Sequence, residues 1–490
     1  MITRIVRATA LLLVLLLSTG VCRAGDLSDD LKARRARVME RIGPDSILIA
    51  WSAPPARYSR DIDYEYRQDS NLYYLTGITQ SDTMLVLMPG NTSRREILFV
   101  KERNPGQEHW TGRTLGTGEA TAISGIDTVL PTARFEAFVA ALLGRHGTAE
   151  IDDHQAAHFF EAVAAGRARV QLLLDPGRGL SEPLDAPLAF AQKIRERFVG
   201  FQIADATPVL TDLRVVKTPY ERQRLVKSLA ISNDAQVAGM RAAHPGAYEY
   251  EVKAAIEQVF RARGAASWSY PSIVGSGPNA TVLHYPDAGR QMQAGELLLT
   301  DAACADGYMA GDITRTYPVG GAFTPLQKDI YTIVLEAQAA GAEVAAARGS
   351  LTDINQKATD VIKAGLLKLG LITDASGEQY RLWFTHFVGH YIGIDVHDVG
   401  DRTRPLQPGM AFTIEPGIYI RQSALDALPR TPENNAFIEK VQPAVKKYAD
   451  IGVRIEDSFL LEEGGLHNLS AAVPRTIDAI ERVMKQRATK

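Results

Sequence analysis

Four carboxylates and a cluster of histidines are the residues of this sequence most able to do chemistry. The stretch GELLLTDAACADGYMAGDITRTYPVGG, starting at Gly295, sets Asp301 and Asp312 on either side of Asp306-Gly307. That dipeptide between β-rich runs signals a two-residue hairpin, because a type I′ turn takes positive φ at both central residues. With the turn there, Asp301 faces Asp312 directly on the adjacent strand, with Cα atoms roughly 4.5 to 5.5 Å apart. Opposed like charges destabilise a sheet, and the apolar LLLT flank marks a buried strand, where charge costs more. A cation, an Arg or Lys, or a shared proton must lie between them. Glu415 closes the strand-like AFTIE before Pro416-Gly417, and Glu456 lies in GVRIED. Four acidic groups exceed what the neighbouring Arg454 can neutralise. A dinuclear metal site fits the count, with one nitrogen ligand from THFVGHYIGIDVHDVG, which packs His386, His390 and His397, three of the chain's ten histidines, into residues 385–400. That ligand is His390.

Taken singly, each residue has an ordinary explanation: an Asp at a strand end is solvated or caps, and a lone His packs in a core or sits at the surface. The succession of two Asp with ten residues between them, then His, Glu-Pro-Gly and Arg-x-Glu-Asp is far more specific than any member. Helices must bring these strands together. Thr218-Pro219-Tyr220-Glu221 and Thr324-Pro325-Leu326-Gln327 each supply a Thr N-cap, a Pro at the first helical position and a Glu or Gln at N3. Each opens a long helix, ended by His244-Pro245-Gly246 or by Gly349. A second helix follows each, over residues 248–263 and 351–369, and then a glycine-punctuated β-rich stretch. Residues 213–490 thus read as two α-α-β halves. Ahead of them, residues 25–212 alternate strand-like runs (SILIAWS, TMLVLMPG, REILFVKE) with helical ones (ARFEAFVAALLGRH, LAFAQKIRERF), the pattern of a small α/β domain.

With 46% hydrophobic residues the chain fills a substantial core in two or three domains. A net charge of −3 gives no basic excess for nucleic acid or acidic lipid, so neither nucleic acid nor a stable membrane partner is expected. At the N-terminus, Arg4 and Arg7 precede an apolar run over residues 8–17, too short to cross a bilayer by roughly half. Cys22 and Ala24 stand at −3 and −1 of a cut after Ala24, which makes residues 1–24 a secretory leader and the protein periplasmic or secreted. An uncleaved anchor and a lipid-modified Cys22 are the alternatives. Cleavage would leave Cys304 alone, with no internal disulfide to form.

These motifs resemble the pita-bread metallopeptidases, a family that includes methionine aminopeptidase, aminopeptidase P and prolidase. The resemblance spans nearly the whole chain after the leader: IVGSGPNATVLHY with His284, DAACADGYMAGDITRTYP, HFVGHYIGIDVHDVG, PGMAFTIEPGIYI and GVRIED. It implies an α/β N-terminal domain and an α+β pita-bread domain with pseudo-twofold α-α-β halves. It also implies metal ligands at Asp301, Asp312, His390, Glu415 and Glu456. The N-terminal YRQDSNLYYLTG, residues 66–77, resembles the extra domain of aminopeptidase P and prolidase, and QEHWTGR, residues 107–113, leans toward aminopeptidase P.

The chemistry so implied is hydrolysis assisted by two divalent metal ions. An oxygen-rich shell suits manganese, with cobalt, iron or zinc as alternatives. Glu415 takes a proton from the water; His284, His386 and His397 handle the scissile carbonyl, the leaving nitrogen and transferred protons. Tyr419 and His397 are expected walls of a proline pocket, and Arg454 is expected to steady the ligand shell. The substrate is a proline-containing peptide, cut by an Xaa-Pro aminopeptidase, or by a prolidase that would use Arg402 or Arg404 for the dipeptide carboxylate. Ala303 departs from the family's usual glycine after Asp-Ala. The long interval between Glu415 and Glu456 holds extra residues, about 424–448, expected to form a flap or an oligomer contact; a homo-oligomer is expected. A non-catalytic binding module on the same fold is a rival reading, opposed by the complete ligand set. A metal-free amidinohydrolase is another, and it would require substituted ligands.

Overall fold

The computed structural model describes residues 24–174, 179 and 181–486. The leader expected over residues 1–24 lies outside them except for Ala24. The N-terminal part is built on a six-stranded mixed sheet ordered Thr128–Pro131, Glu96–Val100, Met84–Leu87, Ser46–Trp51, Ala168–Leu172, Phe201–Asp205. SILIAW takes a central place because almost every residue of it is buried. Successive side chains of a strand point to opposite faces, and two cores result. Leu48 and Ala50 join a core continuous with the rest of the molecule, whereas Ile47 and Ile49 pack with Phe99, Phe135, Phe138 and Phe159 on the outer face.

The C-terminal part repeats one arrangement twice. Thr218 Oγ1 accepts from Glu221 N at 3.2 Å and the Glu221 carboxylate accepts from Thr218 N at 2.9 Å, opening the helix Pro219–Ala242. Thr324 and Gln327 do the same for Pro325–Ala346. Glu249–Ala262 packs on the first helix and Leu351–Lys368 on the second. The second pair closes tightly at Gly365, where an added Cβ would lie 2.6 Å from Ile333. The first half then supplies Ile273–Ser276, Leu297–Asp301 and Thr314–Pro318 as a three-stranded sheet, and the second half Ala411–Ile414, Asp457–Glu462 and Gly465–Asn468. Where they meet, Thr314 O accepts from Glu456 N at 3.1 Å, and buried Arg315 bonds Asp457 at 2.6 Å.

The hairpin between the two aspartates differs from expectation. Asp306 pairs with Met309, so the turn residues are Gly307 and Tyr308, with φ of 53° and 66°. Asp301 therefore pairs with Thr314 rather than Asp312. Two tertiary contacts override the Asp-Gly turn signal. Asp306 is buried and held in the strand by Arg224 and Lys227, each at 3.0 Å, while the Tyr308 ring stacks on Tyr73 at 3.9 Å. A slip of two residues preserves the alternation of faces, so Asp312 becomes a diagonal neighbour of Asp301 on one face. The expected flap is two helices, Gln422–Asp426 and Pro432–Tyr448, the second burying Val441, Val445 and Tyr448 and bonding Asp329 of the Pro325–Ala346 helix at 2.8 Å.

Thr324→Ala removes a cap far from the carboxylates, and a loss of about 0.5–2 kcal/mol is expected. The urea midpoint should fall while peptide hydrolysis per folded molecule is unchanged; an unaltered midpoint would remove the cap from the account of this helix.

Candidate metal centre

His390 is fixed by a short zipper alongside Ala411–Ile414. Ile392 N donates to Ala411 O, Thr413 N to His390 O and Glu415 N to Val388 O, at 3.0, 2.8 and 2.6 Å. Gly389 permits this approach, since a Cβ there would collide with Thr413 O. The imidazole Nδ1 faces Tyr391 O at 3.0 Å, which fixes its tautomer. Nε2 is thereby turned to Asp312 Oδ2 at 3.4 Å and Glu415 Oε1 at 3.3 Å. Ligand atoms of Asp312, His390 and Glu456 all lie within 4.8 Å of one another, and all three residues are buried.

Asp301 and Asp312 converge despite the altered register. Tyr270 Oη, with one proton to give, bridges Asp301 Oδ1 at 2.6 Å and Asp312 Oδ1 at 2.5 Å, and Arg454 Nη2 bonds Asp301 Oδ2 at 2.5 Å. Glu456 Oε2 accepts from Thr314 Oγ1 at 2.7 Å, and that hydroxyl accepts in turn from Arg454 Nε at 3.1 Å. Asp312, His390 and Glu456 thus form the closest group, with Glu415 against His390 and Asp301 joined to Asp312 through Tyr270, and a single arginine lies among the four carboxylates. Their oxygen-rich donor set with one imidazole is the chemistry of a divalent cation site.

Two buried glutamines complete the frame in matching ways. Gln236, on the first helix of the first half, donates its amide to Ala302 O and Ile313 O at 3.0 and 2.8 Å, the carbonyls just after Asp301 and Asp312. Gln338, on the first helix of the second half, donates to Ile414 O and Ile455 O, both at 3.2 Å, just before Glu415 and Glu456. Neither glutamine nor Tyr270 stands out in the sequence. Gln236 lies 18 residues after its N-cap Thr218 and Gln338 14 residues after its N-cap Thr324, so no shared offset from the helix start marks them.

The remaining histidines border this cluster. His386 donates from Nδ1 to Phe387 O at 2.9 Å, its Nε2 lies 2.8 Å from Tyr419 Oη, and Nδ1 lies 4.0 Å from Glu415 Oε2. The His397 ring lies 4.0 Å from that of His390, and exposed His284 is near enough to His397 to depress its basicity. Burial lowers the pKa of both His386 and His397, leaving neutral imidazoles at pH 7. Tyr419 is buried beneath His386 and accepts from Arg454 Nη1 at 3.0 Å. Of the two arginines considered for a substrate carboxylate, Arg402 lies over the Phe387 ring at 4.9 Å, whereas Arg404 turns away to Asp212 at 3.6 Å.

Burial and mutual repulsion shift two of the acidic groups toward their protonated forms. Burial, reinforced by Asp312, Glu415 and Asp301, pushes Glu456 well above the usual carboxylate range, and burial with the Asp301 charge raises Asp312. Burial opposes the charge on His390, but Asp312 and Glu415 raise it to about 10. Burial and the carboxylates also push Tyr270 far up, so it remains a donor.

The sequence profile of metallopeptidase family M24 matches residues 223–463, and that of the aminopeptidase P N-terminal domain matches residues 31–151. Xaa-Pro aminopeptidase of Escherichia coli K12 is 32% identical over 465 residues, covering 93% of this chain and 97% of the relative. The chain belongs to metallopeptidase family M24. Xaa-Pro aminopeptidase of Haemophilus influenzae is 33% identical, with the same coverage of 93% and 97%. Among solved structures, Pseudomonas aeruginosa aminopeptidase PepP superposes with a TM-score of 0.78 at 31% identity, covering 94% of this chain and 99% of that one. The aminopeptidase P of E. coli with the inhibitor Pro-Leu gives 0.77 at 30% identity, with the same coverage. Membership in M24 implies divalent metal ions, and the buried cluster of this M24 chain has the donors to hold them.

Metal uptake by the apoprotein should therefore expel protons from Glu456, Asp312 and His390. Calorimetric titration at pH 7 in two buffers of different ionisation enthalpy is expected to show net proton release and an affinity that rises with pH. Identical heats in both buffers would contradict this account.

Proposed function

We propose that this protein is an exported Xaa-Pro aminopeptidase that uses two divalent ions, manganese in preference to cobalt, iron or zinc, and acts as a homo-oligomer. The observation that carries the reading is the buried group of Asp312, His390 and Glu456, with Glu415 against His390 and Asp301 beside Asp312, in a chain that covers 97% of a bacterial Xaa-Pro aminopeptidase. Asp301, Asp312, His390, Glu415 and Glu456 would hold the ions. When bound, these would supply Lewis acidity and an activated water at neutral pH.

The protein's own groups do the rest. Glu415, whose carboxyl the His390 contact holds low against the effect of burial, is ionised and can accept a proton from the attacking water. His397, kept neutral by burial, and His284 can donate to the scissile carbonyl oxygen, and His386, hydrogen-bonded to Tyr419, can pass a proton to the departing proline nitrogen. Tyr419 and the histidine edges would form the wall against the proline ring. Arg454 holds one oxygen of Asp301 and leaves the other with Tyr270, which fixes the orientation of that carboxylate. The prolidase reading keeps one specific support, the Arg402 guanidinium on Phe387, placed beside the histidine-rich segment.

Paired assays on Xaa-Pro-Yaa peptides and Xaa-Pro dipeptides, with metal content measured on the same sample, separate the two. The tripeptides are expected to be cleaved at the Xaa-Pro bond with higher kcat/KM, chelator dialysis to abolish activity, and Glu415→Gln to lower kcat by about 10²-fold or more. Exclusive dipeptide cleavage would transfer the protein to the prolidase branch. A protein that keeps full activity after chelation would lose the metallopeptidase assignment. Export has its own check: N-terminal sequencing of protein recovered outside the cytoplasm is expected to begin at Gly25, and a retained Met1 would refute cleavage.

A further inference from the structure

A second buried charge cluster lies behind His397. The Asp398 side chain is 1% exposed, and its two oxygens accept from Arg214 Nη2 at 2.5 Å and Lys217 Nζ at 2.6 Å, whose side chains are 3% and 1% exposed. Arg214 also bonds Asp395 Oδ2 and, in the N-terminal part, Asn71 Oδ1, both at 2.7 Å. From the same N-terminal segment Ser70 Oγ donates to Asp395 Oδ1 and Arg67 Nη2 to Ile394 O, again both at 2.7 Å. These are the residues of YRQDSN, a motif with no part in the metal centre.

All these contacts converge on residues 394–398, the end of the short loop that runs from His390 to His397. The loop is closed on itself, Asp398 N donating to Tyr391 O at 2.8 Å and Gly393 N to Asp395 O at 3.0 Å. Gly393 packs so closely behind it that an added Cβ would collide with the Asp398 carboxylate and Lys217 Nζ. Among the described residues no hydrogen bond holds the His397 ring itself. Its direction is set by the loop backbone and by its contact with His390. Whatever fixes residues 394–398 therefore aims His397.

We propose that Arg214, Lys217 and residues 67–71 are positioning residues: they clamp the Asp395–Asp398 segment across the domain boundary and so aim His397 at the substrate. The N-terminal domain is then part of the catalytic apparatus and not only a cover. This inference rests on the reading of His397 as a group that touches substrate.

The double variant R67A/S70A removes the clamp's outer contacts while leaving the Arg214–Asp398 pair intact; D398N removes its centre. For each, kcat and KM on an Xaa-Pro-Yaa peptide are measured per mole of bound metal, alongside amide hydrogen exchange. A misplacement near 1 Å can cost about 10²-fold in rate. The expected result is a kcat at least about tenfold lower with KM changed by less than about threefold, unaltered metal content, and faster exchange confined to residues 392–399. Should D398N not fold, R67A/S70A decides. Unchanged exchange in that segment overturns the clamp, and faster exchange with kcat intact overturns its catalytic role. A merely structural interface would lower stability but leave kcat per bound metal as it was. If the wild-type protein cleaves no Xaa-Pro peptide, the substrate assignment falls, and the exchange comparison still decides whether the loop is held from the N-terminal side.

Discussion

Four carboxyl groups crowd together in this protein, three of them buried and Glu415 partly so, and the helix pairs and sheets of the C-terminal part keep them there. Two unit charges about 4 Å apart repel by roughly 4 kcal/mol at an effective dielectric near 20. Several such pairs together rival the entire stability of a typical domain, about 5–15 kcal/mol. Arg454 offsets one carboxylate and Tyr270 donates one proton to a pair of them, and the rest of the balance must come from protons or from cations. Bound divalent ions remove the conflict outright, which is why the group reads as a binding site and not as a structural ion-pair network.

The fold reaches this arrangement by symmetry of construction. Each half begins with a Thr-Pro helix start, adds a second helix across the first, and delivers two carboxylates at or just beyond the ends of its strands. The halves then interlock through Thr314, Arg315 and the backbone of Glu456. His390 comes from outside this scheme, on a segment zipped to one strand of the second half, and the same segment continues to His397 and to the N-terminal domain. The site is thus assembled from three directions, two related by the repeat and one not.

Local rules made part of this legible from residue order. The capping boxes at Thr218 and Thr324 depend on four consecutive residues and could be read directly, as could the alternating N-terminal strands. The candidate ligands Asp301, Asp312, His390, Glu415 and Glu456 could be picked out as a pattern because carboxylates next to apolar strands are costly and therefore informative. What escaped was decided by contacts between distant segments. The hairpin register was set by Arg224, Lys227 and Tyr73, none of which lies within the hairpin. Tyr270 and the two glutamines have no periodicity that marks them, and the diversion of Arg404 to Asp212 depends on a helix of the N-terminal part.

The paired glutamines bear on how the centre survives without its ions. Their amides grip main-chain carbonyls and touch none of the acidic side chains, so their hold is indifferent to whether those groups carry protons, cations or bare charge. Emptying and refilling the centre then becomes an exchange of small cations within a standing frame, and the backbone has no cause to unfold between one occupant and the next.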